Sequence, residues 1–270
     1  MTSSAANGGE NYGHINVYNT DTYVEAASTM KELSAFYQWL DNQDGAIAMF
    51  NHPNRPQSSF EYLKYQKDLD DKIQLIEVGN GSLNSNYLDT TDYYFKALDY
   101  GWHLAPVNSQ DNHAANWGDA DNLTAIIAES PTEEDIYDAM RSRRVYSTQT
   151  RNLKLEVYAN GQIMGSELNV TKGGTVSFEI NASDPEEKIS KIEIISNGGK
   201  IIASKSFDKP VNTAAFHQDI VVGEGQNWYV VKVTHEDGRT GLGSAHYTQS
   251  SAEDVKLANL VVSPQFISLN

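Results

Sequence analysis

The chain has 270 residues, 39% of them hydrophobic and 10% aromatic, enough for two domains with well-formed cores. A formal net charge of -16 and an isoelectric point near 4.7 argue against nucleic acid and anionic membrane as partners, because the average surface field repels both. There is no cysteine, which excludes disulfides, thiolate nucleophiles and thiolate metal ligands and leaves His, Asp and Glu to hold any metal, a donor set suited to zinc, manganese or iron. No apolar stretch approaches membrane-spanning length, and Met1-Thr2-Ser3-Ser4-Ala5-Ala6 has neither the basic nor the apolar region of a signal peptide. The chain as it stands therefore reads as cytoplasmic, while its acidity suits a secreted or periplasmic bacterial parent.

Up to about position 150, apolar strands alternate with helical patterns. Residues 15–18 predict a short strand, and Met30, Leu33, Phe36, Tyr37 and Leu40 fall at helical spacing after it. Residues 46–50 predict the next strand, 60–69 a helix, and 73–78 a third strand ended by Gly79-Asn80-Gly81. Residues 87–98 read as helical, 104–107 and 124–128 as strands, and 131–143 as a helix with Pro131 near its start and Glu133, Glu134 and Asp135 in its first turn, where the helix dipole favours negative charge. Val145-Tyr146-Ser147-Thr148 closes the series. Strict alternation of strand and helix predicts a parallel sheet covered by helices, as a right-handed barrel or an open α/β sheet.

After Arg151 the period becomes two. Residues 153–157, 175–180, 191–195 and 228–233 alternate or nearly so, and Asn160-Gly161, Gly173-Gly174, Asn197-Gly198-Gly199 and Asp237-Gly238 punctuate them as turns. That pattern predicts an immunoglobulin-like β-sandwich over 151–250. Residues 251–270 read as a linker and the start of a further strand.

Three histidines and an aspartate are read as following strands of the first half. His14 lies in Gly13-His14-Ile15-Asn16-Val17-Tyr18, His52 follows Ile47-Ala48-Met49-Phe50-Asn51, and Asp111 and His113 follow the strand at 104–107. In an α/β fold the carboxyl ends of strands share one rim, so these four groups are expected to converge there as part of a metal site. His103 precedes its strand and reads as packing or surface. His217, His235 and His246 belong to the sandwich and read as solvated strand positions.

Those segments, with Ile76-Glu77-Val78, Asn80-Gly81, the run 101–113, Arg144-Val145-Tyr146-Ser147-Thr148 and Asn160-Gly161-Gln162-Ile163-Met164-Gly165-Ser166, together resemble the PHP (polymerase and histidinol phosphatase) hydrolases. The nearest branch resembles the carbaryl-hydrolase-like one, a PHP barrel followed by a small β-sandwich. The resemblance implies an α/β fold, a partial PHP-type (distorted TIM-like) barrel over 1–150 followed by the sandwich. It also implies metals that polarise a phosphoryl or acyl oxygen and activate water. Residues matching His14 and His52 share a metal with a bridging glutamate in that family, and those matching Asp111 and His113 serve other metals, the aspartate also orienting the attacking water.

The family's opening His-x-His pair and bridging glutamate have no counterpart here. That glutamate precedes the Gly-His-x-Asn strand in relatives, so the chain reads as N-terminally truncated, with Glu10 as the alternative occupant of its place. One divalent metal (Zn, Mn or Fe) per chain, on His14 and His52 with Asp111, His113 or water completing it, is the expectation. A homo-oligomer covering the open barrel edge is expected with it. The predicted function is metal-dependent hydrolysis of phosphoester, ester or carbamate bonds, with Asp111 and His113 as catalytic groups and a small-molecule or carbohydrate substrate. One alternative is a glycoside hydrolase on the same rim, stacking sugar on Tyr18, Tyr87, Trp102 or Trp117 and using carboxylates such as Glu10, Glu77, Asp111 and Asp119. The other is a non-catalytic fragment that binds glycan or protein.

Overall fold

The computed structural model describes residues 2–3, 12–25, 30, 32–83 and 85–250; Glu10 and the segment 251–270 lie outside these. The first half contains β1 (Thr2–Ser3), β2 (His14–Tyr18), α1 (Leu33–Asp41), β3 (Ile47–Asn51), α2 (Ser59–Leu63), β4 (Ile73–Ser82), β5 (Ser85–Asp89), α3 (Thr91–Asp99) and β6 (Ala105–Ser109). Next come β7 (Leu123–Ile126), α4 (Glu133–Arg141) and β8 (Val145–Thr148). The sandwich adds β9 (Lys154–Ala159), β10 (Gln162–Ile163), β11 (Glu167–Leu168), β12 (Thr175–Ser183), β13 (Ile189–Ser196), β14 (Lys200–Val211), β15 (Thr213–Val221), β16 (Gly225–His235), β17 (Thr240–Gly243) and β18 (His246–Ser250).

These strands form three sheets, and the expected barrel is not among them. In the first sheet β3, β4 and β6 run parallel, and every residue of β3 is buried, as suits strands covered on both faces. β2 runs antiparallel to β3, against the all-parallel order a barrel requires. At the other side β6 forms a ladder with β4 alone. Pro106 in β6 has no N–H to offer a further strand, and the neighbouring contacts run through side chains instead. Asn108 Nδ2 donates to Thr148 O at 2.8 Å, while its backbone N–H donates to Thr124 Oγ1 at 3.0 Å. β7 and β8 pair with each other and, through β17, join the eight-stranded sheet of the sandwich. The α/β half is thus an open sheet in a molecule dominated by β-strands, and the expectation of a distorted TIM-like barrel is corrected. The expected oligomer over an open barrel edge loses its premise with it.

The β-sandwich is present. A four-stranded sheet, β10-β9-β12-β15, faces the eight-stranded one, and β12 alternates buried and exposed positions as a strand with one dry face should. Phe178, Ile180, Ile192, Val231 and Val233 are among the residues of its core. The two halves share a second core in which Trp102 and Tyr94 meet Trp228 and Tyr247. Phe95 stacks on Trp228 at a centroid distance of 5.3 Å, Trp228 Nε1 donates to Asp99 Oδ1 at 2.8 Å, and Tyr247 Oη donates to Leu104 O at 2.9 Å.

Local structure departs from the periodicity in two places. The helix expected over 60–69 is a single irregular turn with Phe60, Glu61 and Tyr62 at φ between 52° and 62°, followed by a 3₁₀ turn at Lys67–Leu69. The Phe60 ring is drawn over Gly13, where a Cβ would lie 2.6 Å from it, and Phe60 N–H donates to Tyr12 O at 2.8 Å. Tertiary contact has displaced the local helical preference. Residues 85–89 form β5 rather than the start of the helix expected from position 87, because they fold back on β4 as a hairpin.

Candidate metal and substrate site

The antiparallel register of β2 on β3 sets His14 opposite Asn51, and so beside His52, the residue after β3. His14 therefore opens its strand rather than following it, yet reaches the carboxyl end of β3 because β2 runs the other way. Nδ1 of His14 faces Nε2 of His52 at 3.0 Å, with the rings edge to face. Burial first, and then the neighbouring His52, push the His14 pKa below its ordinary value, while the charge of Asp111 pulls the other way. Lowering that pKa keeps His14 as the neutral, metal-binding form of imidazole.

His52 sits in the left-handed region at φ 28°, on a turn held from beneath. Its backbone N–H donates to Glu77 Oε2 at 2.5 Å, and Asn80 Nδ2 donates to the same oxygen at 3.0 Å. Glu77 is 1% exposed; burial raises its pKa, while bonds from His52, Asn80 and Ser109 oppose the rise. The carboxylate expected as a substitute ligand is thus engaged in holding the His52 turn. His52 Nδ1, by contrast, is buried and finds no hydrogen-bond partner among the described residues.

Asp111, also in the left-handed region at φ 45°, follows β6, and its backbone N–H donates to Ser109 Oγ at 3.3 Å. It is near enough for its charge to act on His14. His113 is not part of the cluster: its side chain is 93% exposed and its Nε2 lies 3.9 Å from Asp111 Oδ1. Among the described residues no three His, Asp or Glu side chains are grouped closely enough to hold a metal. What the fold assembles is a pair of nitrogens. Two nitrogens on one tetrahedral zinc, each about 2.0–2.1 Å from it, stand roughly 3.3 Å apart. At 3.0 Å the two nitrogens are hydrogen-bonded, a separation close to that of two donors on a single ion, and Asp111 is the carboxylate whose charge acts on His14.

A cleft of about 440 Å³ is lined among others by Arg55, Asn80, Asp111 and Asp119, and neither histidine of the pair lines it. A larger groove of about 610 Å³, bounded by Tyr87, Phe95, Gln149 and Lys232, contains no histidine and no residue of the pair's surroundings beyond Val78 and Asn108. The smaller cleft is tied to the pair through Asp111, whose charge acts on His14.

Residues 85–175 match the family of unknown function DUF3604. That match covers less than half of the chain. No curated protein matches it. Among solved structures, fibronectin(III)-like modules of CbhA from Clostridium thermocellum are 16% identical, covering 35% of this chain and 96% of theirs at a TM-score of 0.28. An AA10 lytic polysaccharide monooxygenase from Streptomyces lividans is 12% identical over 33% of this chain and 62% of its own, with a TM-score of 0.24. An endo-β-1,4-mannanase from Thermotoga petrophila is 11% identical over 75% of this chain and 47% of its own, with a TM-score of 0.26. Likenesses at these TM-scores carry no weight for activity.

Several other expectations about side chains change. Trp102 is fully buried, with Nε1 donating to Leu63 O at 2.9 Å, and is no sugar platform. His235 and His246 are buried rather than solvated, whereas His217 is exposed. His103 bonds Asp70 through Nδ1 at 2.5 Å, and its ring meets Tyr247. Glu10 falls outside the described residues. Trp117 is 79% exposed, on the loop between the cleft residues Asn116 and Asp119. The sequence assigned no role to Arg55, Ser109 or Asn112, although Ser109 and Asn112 lie within the run 101–113 that it singled out and Arg55 lies three residues past His52.

Proposed function

We propose that the protein is a hydrolase of phosphoester, carboxylic ester or carbamate bonds that works with one divalent cation held by His14 and His52. The observation that carries this reading is the approach of two imidazole nitrogens to 3.0 Å, a hydrogen-bonded pair whose shared proton a cation would displace, with the His14 pKa lowered. The resemblance of the surrounding segments to PHP hydrolases supports the same chemistry. A cation there supplies Lewis acidity, polarising the scissile oxygen and making water a better nucleophile near neutral pH.

The protein's own groups do the rest. Glu77 fixes the His52 turn through the backbone N–H, so the ring is positioned before substrate arrives. Asp111 lines the cleft and is near enough for its charge to act on His14, and its carboxylate oxygens are the acceptor for the proton released by attacking water. Arg55 enters the same cleft with an exposed guanidinium and no ion-pair partner among the described residues, suited to a negative charge on the substrate.

The test joins metal content with turnover. Elemental analysis is expected to give about one divalent ion per chain, falling to zero in His52→Ala. Hydrolysis of nitrophenyl phosphate, nitrophenyl ester or naphthyl carbamate is expected to stop with chelator and in His14→Ala. Turnover that survives both treatments overturns the reading.

A further inference from the structure

The cleft has a chemistry that the hydrolase reading does not require. Its walls carry amides from Asn80, Asn86, Gln110, Asn112 and Asn116, supplemented by serine hydroxyls and by the charged Arg55, Asp111 and Asp119. An amide presents a donor and an acceptor side by side, the complement of a hydroxyl that both donates and accepts. Asn112 is the sharpest case: its Oδ1 and Nδ2 are both buried, and neither has a hydrogen-bond partner among the described residues. Such an amide favours a ligand that fills both roles at once.

Trp117 supplies the apolar half of the same recognition. Trp117 is exposed to 79%, whereas Trp102 and Trp228 are fully buried and Trp39 is partly buried. Its loop is tied down rather than left free. Gly118 N–H donates to Gln110 Oε1 at 2.8 Å, and Arg151 Nη2 donates to Gly118 O at 2.6 Å and to Ala120 O at 2.9 Å. Arg151 Nε adds a bond to Asp121 Oδ1 at 2.9 Å, so the sandwich side of the molecule holds the loop in place. An anchored, exposed indole next in the chain to the cleft residue Asn116 matches, together with the cleft amides, the two faces of a sugar ring, apolar C–H groups on one and hydroxyls at the edge.

We propose that this cleft binds a carbohydrate, a mono- or disaccharide whose ring stacks on Trp117 and whose hydroxyls pair with Asn112 and its neighbouring amides. At about 440 Å³ it has the size of a small-molecule site. That the sugar is also the substrate rests on the hydrolase reading; the binding does not.

The test uses the full chain in chelator, so that binding is read without turnover. A printed array of mono- to tetrasaccharides, covering hexoses, pentoses, deoxyhexoses, uronic acids and hexosamines, selects the probe, and calorimetry with that sugar gives the affinity. Trp117→Ala and Asn112→Ala are each expected to weaken binding about tenfold or more, with Trp117→Phe retaining most of it. Both positions are at the surface or the cleft wall, and unchanged melting curves check that the variants fold. No sugar bound above background, or an affinity unaltered by Trp117→Ala and Asn112→Ala, overturns the proposal. Sugar binding that persists while every hydrolysis assay fails removes the hydrolase reading and leaves this one standing; chelator-sensitive hydrolysis without sugar binding does the reverse.

Discussion

The backbone N–H of His52 donates to Oε2 of Glu77 across 2.5 Å, so a buried carboxylate on β4 sets the turn that carries one histidine of the pair. Glu77 also accepts from Asn80 and Ser109, and removing it leaves three donors without their acceptor in a buried place. Glu77→Ala is expected to cost on the order of 3 kcal/mol or more. It should also lower metal content although neither histidine has changed. Glu77→Gln keeps an acceptor oxygen and should recover part of both. Urea unfolding and elemental analysis of the two variants check this; an alanine variant with native stability and metal content would show that Glu77 does not support the site.

Gly79 stands where β4 passes beneath Tyr87 and Asn108. A Cβ there would lie 2.0 Å from Tyr87 Oη and 2.2 Å from Asn108 Oδ1, and those two atoms are bonded to each other at 3.1 Å. Gly79→Ala must therefore break the Tyr87–Asn108 bond, and with it the link that Gln149 Nε2 makes to Tyr87 Oη at 3.0 Å. The expected loss is about 1–3 kcal/mol, read as a lower melting temperature. No change in melting would mean that β5 shifts freely.

Asp184 is the hub of a buried network at the end of the sandwich. Its Oδ2 accepts from Thr150 Oγ1 at 2.7 Å and lies 3.3 Å from His235 Nε2, while Oδ1 accepts from the backbone N–H groups of Glu186 and Glu187. Both side chains of the His235–Asp184 pair are fully buried. Asp184→Ala strands all of these groups and is expected to destabilise by about 3–5 kcal/mol, measured by denaturant unfolding. A loss below 1 kcal/mol would imply that water replaces the carboxylate.

His246 predicts how stability varies with pH. Burial pushes its pKa down to about 4 from 6.5, against the pull of its bond to Gln162 O, which Nε2 reaches at 3.0 Å. The unfolded chain takes up this proton below pH 6.5 while the folded chain resists it until about pH 4. The stabilising effect of the neutral ring is therefore complete above pH 6.5 and is lost as pH falls from there to about 4, some 3 kcal/mol in all. His246→Gln can still donate to the same carbonyl and does not titrate. The difference in unfolding free energy between wild type and this variant should slope across that window and be flat above it; a flat difference throughout would mean that the folded ring protonates normally.

The sandwich was legible because strands such as β9 and β12 bury one face, and period-two alternation records that directly. The positions of His52 and Asp111 after strands were legible too, being local facts about where apolar runs stop, whereas His14 opens β2 instead of following a strand. The direction of β2 was not, because an antiparallel and a parallel strand of five residues carry the same pattern. Nor was the irregular turn of α2, whose helical spacing yields to the packing of Phe60 over Gly13. His235 and His246 misled for a related reason: a polar side chain in a strand reads as solvated until its buried partner, Asp184 or Gln162 O, is known.

The sequence by itself determined which chemistry is available: imidazole and carboxylate without thiolate, on a strongly acidic chain with a β-sandwich in its second half. Only the tertiary structure decided how those groups are used. Pairing between strands far apart in the chain turned β2 to face His52 with His14, set Glu77 under the His52 turn, and left His113 in solvent. It also joined β8 to the sandwich instead of closing a barrel behind Pro106. The physical reason is common to all of these: hydrogen-bond register and burial are properties of two segments together, and neither segment alone encodes its partner.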